Sequence, residues 1–391
     1  MNYADTDQIE TLTFYFDFWL LAGVILVTVL GLVMVLSSTG VMAEKFFGGK
    51  NYFFVRQIVY TCLGFTVMTV TALVPIQQIY RMKYLILSGV VLLLLLIKFT
   101  PMGAEINGAK RWLRLGPISL QPMEFAKLAT VFYLAWFFSA KQDLIKTFSV
   151  GVVPPFAITT ALGSLLLLQP DFGGAAILAL LLFLMCLAGG TRFIYLLTSI
   201  FMAAGTAWLL VRHSPYRFKR LLAFLDPFKD AMDTGYQLVQ SLYALGSGGI
   251  TGAGLGAGKQ KLFFLPEAHN DFIVAVIGEE LGFVGVSLVF LLVGFILWRA
   301  FAIALAQEKL HDRLTAYGMA LILTIGSVMN MAVALGTVPP KGVSMPFLSY
   351  GGSNLITSFA CVGILLNLSR NVKTPTRFSL RNLKARLSRN R

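Results

Sequence analysis

The chain is poor in residues suited to redox or metal chemistry. Of its 391 residues only three are cysteine and three are histidine. Cys62, Cys186 and Cys361 each fall inside an apolar run, where a thiol acts as a small buried hydrophobe, so no disulfide framework is expected. His213, His269 and His311 are scattered without ligand spacing, which speaks against a structural metal site. Charge is scarce too, at 13% of residues against 57% hydrophobic, with a mean hydropathy of +0.76. A soluble domain of this length cannot bury so much apolar surface, so the solvent is lipid. Basic residues are missing from the opening stretch, which carries Asp5, Asp7, Glu10 and Asp17 instead. A cleavable signal peptide would start basic and end at a small-residue cleavage site. The run Trp19 to Leu36 is therefore read as a permanent spanning helix.

What is present is a series of apolar runs along nearly the whole chain. Spanning helices are expected at 18–37, 54–75, 84–99, 125–140, 151–168, 172–188, 193–211, 272–298, 316–338 and 355–368. The expected fold is all-α, a polytopic membrane protein of about ten helices, with one long structured outer loop between the seventh and eighth. Three parts follow: an N-terminal cytoplasmic segment 1–17, a transmembrane domain 18–371 whose outer loop is 212–271, and a basic cytoplasmic tail 372–391. An even number of spans puts both termini on one side. The cations between Arg370 and Arg391, with no acid among them, make that side cytoplasmic. Yet this orientation gives the outer loops fourteen Lys and Arg and the inner loops eight. An anionic ligand at the outer face accounts for the excess.

Four outer segments are too polar or too rich in Gly and Pro to be simple connectors: 101–124, 169–174, 212–271 and 336–354. The third is about sixty residues long, and loops of that size are usually functional or disordered. Its interleaved aromatics, Tyr216 to Phe264, favour packing on the membrane surface. Within it, seven of the thirteen residues from Gly246 to Gly258 are glycine. A phosphate-binding P-loop is excluded, because position 253 is Ala and Gln260 stands where Ser or Thr should bind magnesium. The segment reads as a flexible loop whose backbone can approach a lipid or sugar, or as a purely structural bend.

The chemistry concentrates around Leu265-Pro-Glu267-Ala-His269-Asn270-Asp271, directly before the eighth span. One reading is ordinary capping, with Asn270 or Asp271 accepting hydrogen bonds from the first helical turn. The other is a reactive carboxylate where the loop re-enters the membrane. Glu279 and Glu280 lie about 12 Å deeper along such a helix, and carboxylates inside a span default to partnered or functional roles. Glu124 and Lys127 sit at i,i+3 on the fourth span. They form either a local ion pair or a cation kept at the mouth of a cavity. Lys110-Arg111-Trp112-Leu113-Arg114 adds cations and an aromatic, a set suited to pyrophosphate. The stretch Val338 to Asn354 breaks helical pattern with Pro339, Pro340, Pro346 and the Gly351-Gly352 pair, and is expected to line the same pocket.

Six strings carry a resemblance: Asn107 to Trp112, Gln121 to Lys127, Gln169 to Gly173, Gln240 to Gly249, Leu265 to Asp271 and Pro346 to Ser353. In this order they resemble the SEDS family, over about residues 18 to 371. Ser241 to Gly246, Asn270-Asp271 and Gly278-Glu-Glu-Leu281 are most similar to its cell-division branch. Met123 departs from the family's usual Ser or Ala.

The resemblance implies a peptidoglycan glycosyltransferase acting on lipid II in the bacterial plasma membrane at the division septum. It also implies a class B penicillin-binding protein transpeptidase and other division-complex membrane proteins as partners, and no nucleic acid. The family's essential loop aspartate falls on Asp271. The expected substrate-binding set is Arg111, Trp112, Glu124, Lys127, Glu267, His269, Lys341, Ser349 and Tyr350. No residue set demands a metal, although a divalent cation such as Mg could share the pyrophosphate's charge. The competing readings are a lipid II flippase and a non-catalytic scaffold of the division machinery. One tension remains in this reading: a helix N-terminus lowers a carboxylate's pKa, so desolvation and a neighbour such as Glu267 or Glu279 must raise it.

Overall fold

The computed structural model describes residues 16–106, 109–115, 118–213, 218–219, 223–233, 235–340 and 342–370. The expected N-terminal segment up to residue 15 and the whole basic tail 372–391 lie outside the described residues, as does Lys341. A helix stands at every one of the ten expected positions. They are α1 Phe18–Phe47, α2 Tyr52–Leu73, α3 Lys83–Phe99, α4 Pro122–Ala140, α5 Val153–Leu167, α6 Phe172–Gly189 and α7 Phe193–Arg212. After the surface helix α8, Tyr236–Ser247, follow α9 Ile273–Leu305, α10 Leu310–Ala334 and α11 Gly352–Ser369. Seven of these are long and apolar enough to cross a membrane by themselves: α1, α2, α5 with the turn before it, α6, α9, α10 and α11. The protein is a multi-pass membrane protein.

Helix ends follow local chemistry. Asp17 caps α1 by accepting from the Leu20 N–H at 2.9 Å, and its carboxylate also holds Arg299 at the far end of α9. Nothing breaks helical pattern after residue 37 until Gly48, which closes α1 at φ +71, so this helix runs ten residues past its expected end. Pro122 opens α4 at its first turn, where a missing N–H costs nothing.

The helices surround α11, which is buried along nearly its whole length. Tertiary packing against α2 is intimate, with Phe65 and Phe359 rings 4.6 Å apart. Outward faces are apolar and open, as at Phe201, Leu291 and Phe283, which suits hydrocarbon rather than water. The segment 101–124, expected to be irregular, carries a small antiparallel sheet of β1 Gly103–Ile106, β2 Ala109–Leu115 and β3 Ile118–Leu120. Its register pairs Gly103 with Leu113 and Leu113 with Leu120. Alternation in Lys110-Arg111-Trp112-Leu113-Arg114 turns Leu113 inward and leaves Arg114 in solvent, a strand period inside an otherwise helical protein. The three cysteines are free thiols.

Candidate active site

Asp271 lies at the foot of α9 and does not cap it. The helix starts at Ile273, its N-cap position is Phe272, and no side chain accepts a hydrogen bond there. The capping reading fails because the chain before the helix is already turned by Glu267, at φ +55, whose carbonyl accepts from the N–H groups of Asn270 and Asp271. The Asp271 carbonyl is held from α10, where the Asn330 amide donates to it at 3.0 Å and to the Val343 carbonyl at 2.9 Å.

Among the described residues no side chain pairs with the carboxylate. Oδ1 is buried without a hydrogen-bond partner. Oδ2 faces Gly342, close enough that a Cβ there would stand 3.6 Å away. Crowding by neighbouring atoms, and then the negative charge of Glu267, push the Asp271 carboxyl up to about 8. No capping bond stabilises the anion, and both burial and Glu267 act in the direction a base requires. Glu267 is the neighbour that acts on Asp271; Glu279 is engaged elsewhere.

The loops expected to share a pocket are tied to one another. The Ser344 hydroxyl donates to the Asn270 side chain at 2.5 Å and Ser349 donates to the Asn270 carbonyl at 2.6 Å. Ser349 accepts from the Met345 N–H, and the Tyr350 N–H donates to the His269 carbonyl at 2.9 Å. Phe53 of α2 packs against both His269 and Tyr350, with ring centroids 5.4 Å and 5.2 Å away. Burial holds the His269 imidazole below its ordinary range against the opposing pull of Glu267. The 346–354 stretch also reaches the sheet, since Ser353 accepts from the Gln121 N–H at 2.8 Å. From the sheet, Arg111 donates to the Pro170 carbonyl in the 169–174 turn. All four irregular segments are therefore one hydrogen-bonded assembly.

The expected site residues divide into two groups. Asp271, Glu267, His269, Ser349 and Tyr350 meet directly. Glu124 and Lys127 form a buried ion pair at 2.7 Å on α4, within electrostatic reach of Cys361 on α11. Arg111 and Trp112 lie half-buried on β2. Among the described residues neither Arg111 nor Lys127 pairs with Asp271. Sequence reasoning did not single out Asn330, Ser344 or Ser353. Asn330 carries a readable signal, a fully buried amide within an apolar span; the two serines carry none.

The glycine-rich segment is docked against α9 through its backbone, while most of its residues stay exposed. Helix α9 breaks at Gly282, which takes φ +67 and ψ −164, a conformation reserved for glycine. The loop docks into that break: the N–H groups of Ala253 and Gly254 donate to the carbonyls of Glu279 and Glu280. Their side chains complete the joint. Glu279 accepts from the N–H groups of Lys259 and Gln260, and Glu280 accepts from Gly256 and Ser37 and pairs with Lys261 at 2.5 Å. The close approach requires glycine, since a Cβ on Gly282 would come within 2.3 Å of the Gly252 nitrogen. Among the described residues no cluster of three or more His, Cys, Asp or Glu side chains could hold a metal ion.

Residues 18–374 match the family model described as cell cycle protein, covering FtsW, RodA and SpoVE. The chain is 44% identical over 358 residues to the probable peptidoglycan glycosyltransferase FtsW of Trichlorobacter lovleyi, covering 92% of this chain and 94% of that protein. Identity to the protein of the same name from Coxiella burnetii is 38% over 365 residues, covering 92% and 98%. Among solved structures, a chain of a peptidoglycan synthase complex that coordinates polymerization and crosslinking superposes with a TM-score of 0.73 at 31% identity, covering 92% of this chain and 99% of that one. The rod shape determining protein RodA of Thermus thermophilus gives 0.65 at 30% identity, covering 92% and 98%. These matches run over nearly the whole chain: it belongs to the SEDS family, on its FtsW side.

Proposed function

We propose that the protein is a peptidoglycan glycosyltransferase that polymerises lipid II into β-1,4 glycan strands during septal wall synthesis. The observation that carries this reading is the state of Asp271: a carboxylate without a hydrogen bond on Oδ1, raised by burial, on a loop whose backbone is fixed from three sides. The 4-hydroxyl of one lipid-linked sugar attacks the anomeric carbon of another. The C1–O4 bond forms as the C1–O bond to diphosphate breaks, the hydroxyl proton passes to Asp271, and undecaprenyl pyrophosphate leaves with the electron pair. Inversion at C1 turns the α-linked donor into a β link. Arg111 and Lys127, with Lys341, carry the charge that develops on the leaving group. A divalent cation such as Mg would share that load.

Both termini are assigned to the cytoplasm, ten spans to the membrane, and the assembly around Asp271 to the outer face. A class B penicillin-binding protein is the proposed transpeptidase partner. The deciding experiment incubates purified protein and partner with labelled lipid II. Glycan ladders from the wild type and none from Asp271→Asn support the reading. Full polymerisation by Asp271→Asn overturns the base assignment. Transport without polymer indicates a flippase, and neither activity leaves only a scaffold.

A further inference from the structure

The chemistry proposed for Asp271 requires it to stay out of the helix cap, and it stands only one residue away. Helix α9 begins at Ile273 with Phe272 in the capping position. One residue of slack in the incoming chain would let the carboxylate accept from the first helical turn, and a capping carboxylate is the weaker base. We propose that the buried Lys261–Glu280 pair removes that slack, which makes Lys261 and Glu280 positioning residues for the general base. This inference rests on the glycosyltransferase reading.

The chain from Lys261 to Asp271 is clamped at both ends. At the near end, Lys261 Nζ donates to Glu280 at 2.5 Å and to the Ser37 hydroxyl of α1 at 3.0 Å, and Ser37 donates to the same carboxylate at 2.6 Å. The N–H groups of Lys259 and Gln260 are fixed on Glu279, and the Gln260 carbonyl then accepts from the Leu265 N–H at 2.8 Å. Helix α1 grips the segment a second time, with Lys45 over the Phe263 ring at 4.5 Å and Phe46 against its edge. At the far end, Ser344, Ser349 and Tyr350 hold Asn270 and His269. Both members of the ion pair are buried, so neither separates from the other without stranding a charge, and the near clamp yields only as a unit.

Between the clamps the backbone is under load. Phe263 sits at φ +72 and Glu267 at φ +55, in the left-handed region that costs a residue with a Cβ. Such conformations persist only where the surroundings fix them. At Glu267 the turn aims the carbonyl at the N–H groups of Asn270, Asp271 and Phe272, and so defers the helix to Ile273. It also keeps the Glu267 carboxylate close enough to act on Asp271. Asp271 is faced by Glu267 from its own loop, by the neutral Asn330 amide from α10 and by the backbone at Gly342. The charges of Lys261 and Glu280 cancel within their pair, so removing both acts on Asp271 through the chain and not through the field.

The test uses the full-length protein with its transpeptidase partner in phosphatidylcholine nanodiscs. The double variant Lys261→Met, Glu280→Gln removes both charges and strands neither. With labelled lipid II, the ascending limb of its pH–rate profile should move to lower pH. Plateau kcat should fall roughly tenfold while KM changes by less than about twofold. Lys261→Arg preserves the pair and should keep the wild-type limb. An unchanged profile would overturn the inference, as would a lower rate with the limb in place, since loss of folded protein does not move a limb. Infrared titration of protein labelled with isotopic aspartate, taken as the difference against Asp271→Asn, reads the same carboxyl without substrate. Its midpoint should be lower in the double variant, and equal midpoints would overturn the inference. That measurement stands even where the wild type forms no glycan, a result that would remove the glycosyltransferase reading alone.

Discussion

The ionisation of Asp271 makes a quantitative demand on the rate. A base raised to about 8 is about one-tenth ionised at pH 7, half at pH 8 and nine-tenths at pH 9. Polymerisation at saturating lipid II should therefore climb about fivefold from pH 7 to 8 and less than twofold over the next unit. The perturbation is Glu267→Gln. Removing that negative charge takes away the second cause of the raised value, so the ascending limb must move to lower pH while burial keeps it above the ordinary carboxylate range. Stability runs the opposite way. A carboxyl whose folded value lies above its unfolded value is favoured when protonated, so the fold loses stability as pH rises from the unfolded range near about 4 to about 8, then levels off. Initial rates of labelled glycan formation across about pH 6 to 9.5, on wild type and Glu267→Gln, supply the measurement. A flat profile refutes the reasoning, as does a limb that Glu267→Gln leaves in place or moves upward.

Other consequences are expected from the joint at Gly282. Lys261 and Glu280 are almost fully buried, so Lys261→Met should destabilise the protein by about 3–5 kcal/mol by stranding a carboxylate, and adding Glu280→Gln should recover most of it. Denaturant unfolding in detergent micelles measures the cycle, and a single-variant cost below about 1 kcal/mol contradicts a buried pair. Gly282→Ala should cost more than about 2 kcal/mol, from forbidden backbone and collision with Gly252, and should speed proteolysis of the 249–264 loop. Asn330→Ala should leave the helices intact yet lower kcat by freeing the Asp271 carbonyl; an unchanged kcat would show that the loop is held well enough without it.

Composition and local pattern alone determined the membrane class and the helix positions, because hydropathy over some twenty residues is a local property. Gly48 and Pro122 likewise set helix ends through their own backbone preferences. The sequence could not settle what each polar group bonds. Asp271 reads as a cap until the turn at Glu267 is seen to start the helix at Ile273, and nothing local in the sequence announces that Asn330, 59 residues away, holds its carbonyl. Glu280 reads as an unassigned intramembrane charge until Ser37, 243 residues earlier, and Lys261 close around it. The glycine-rich run looks mobile because glycine is permissive, yet its backbone is spent filling the break in α9. Spans are written in the order of side chains along the chain. The site is written in contacts between segments far apart in that order, and those contacts exist only once helices pack.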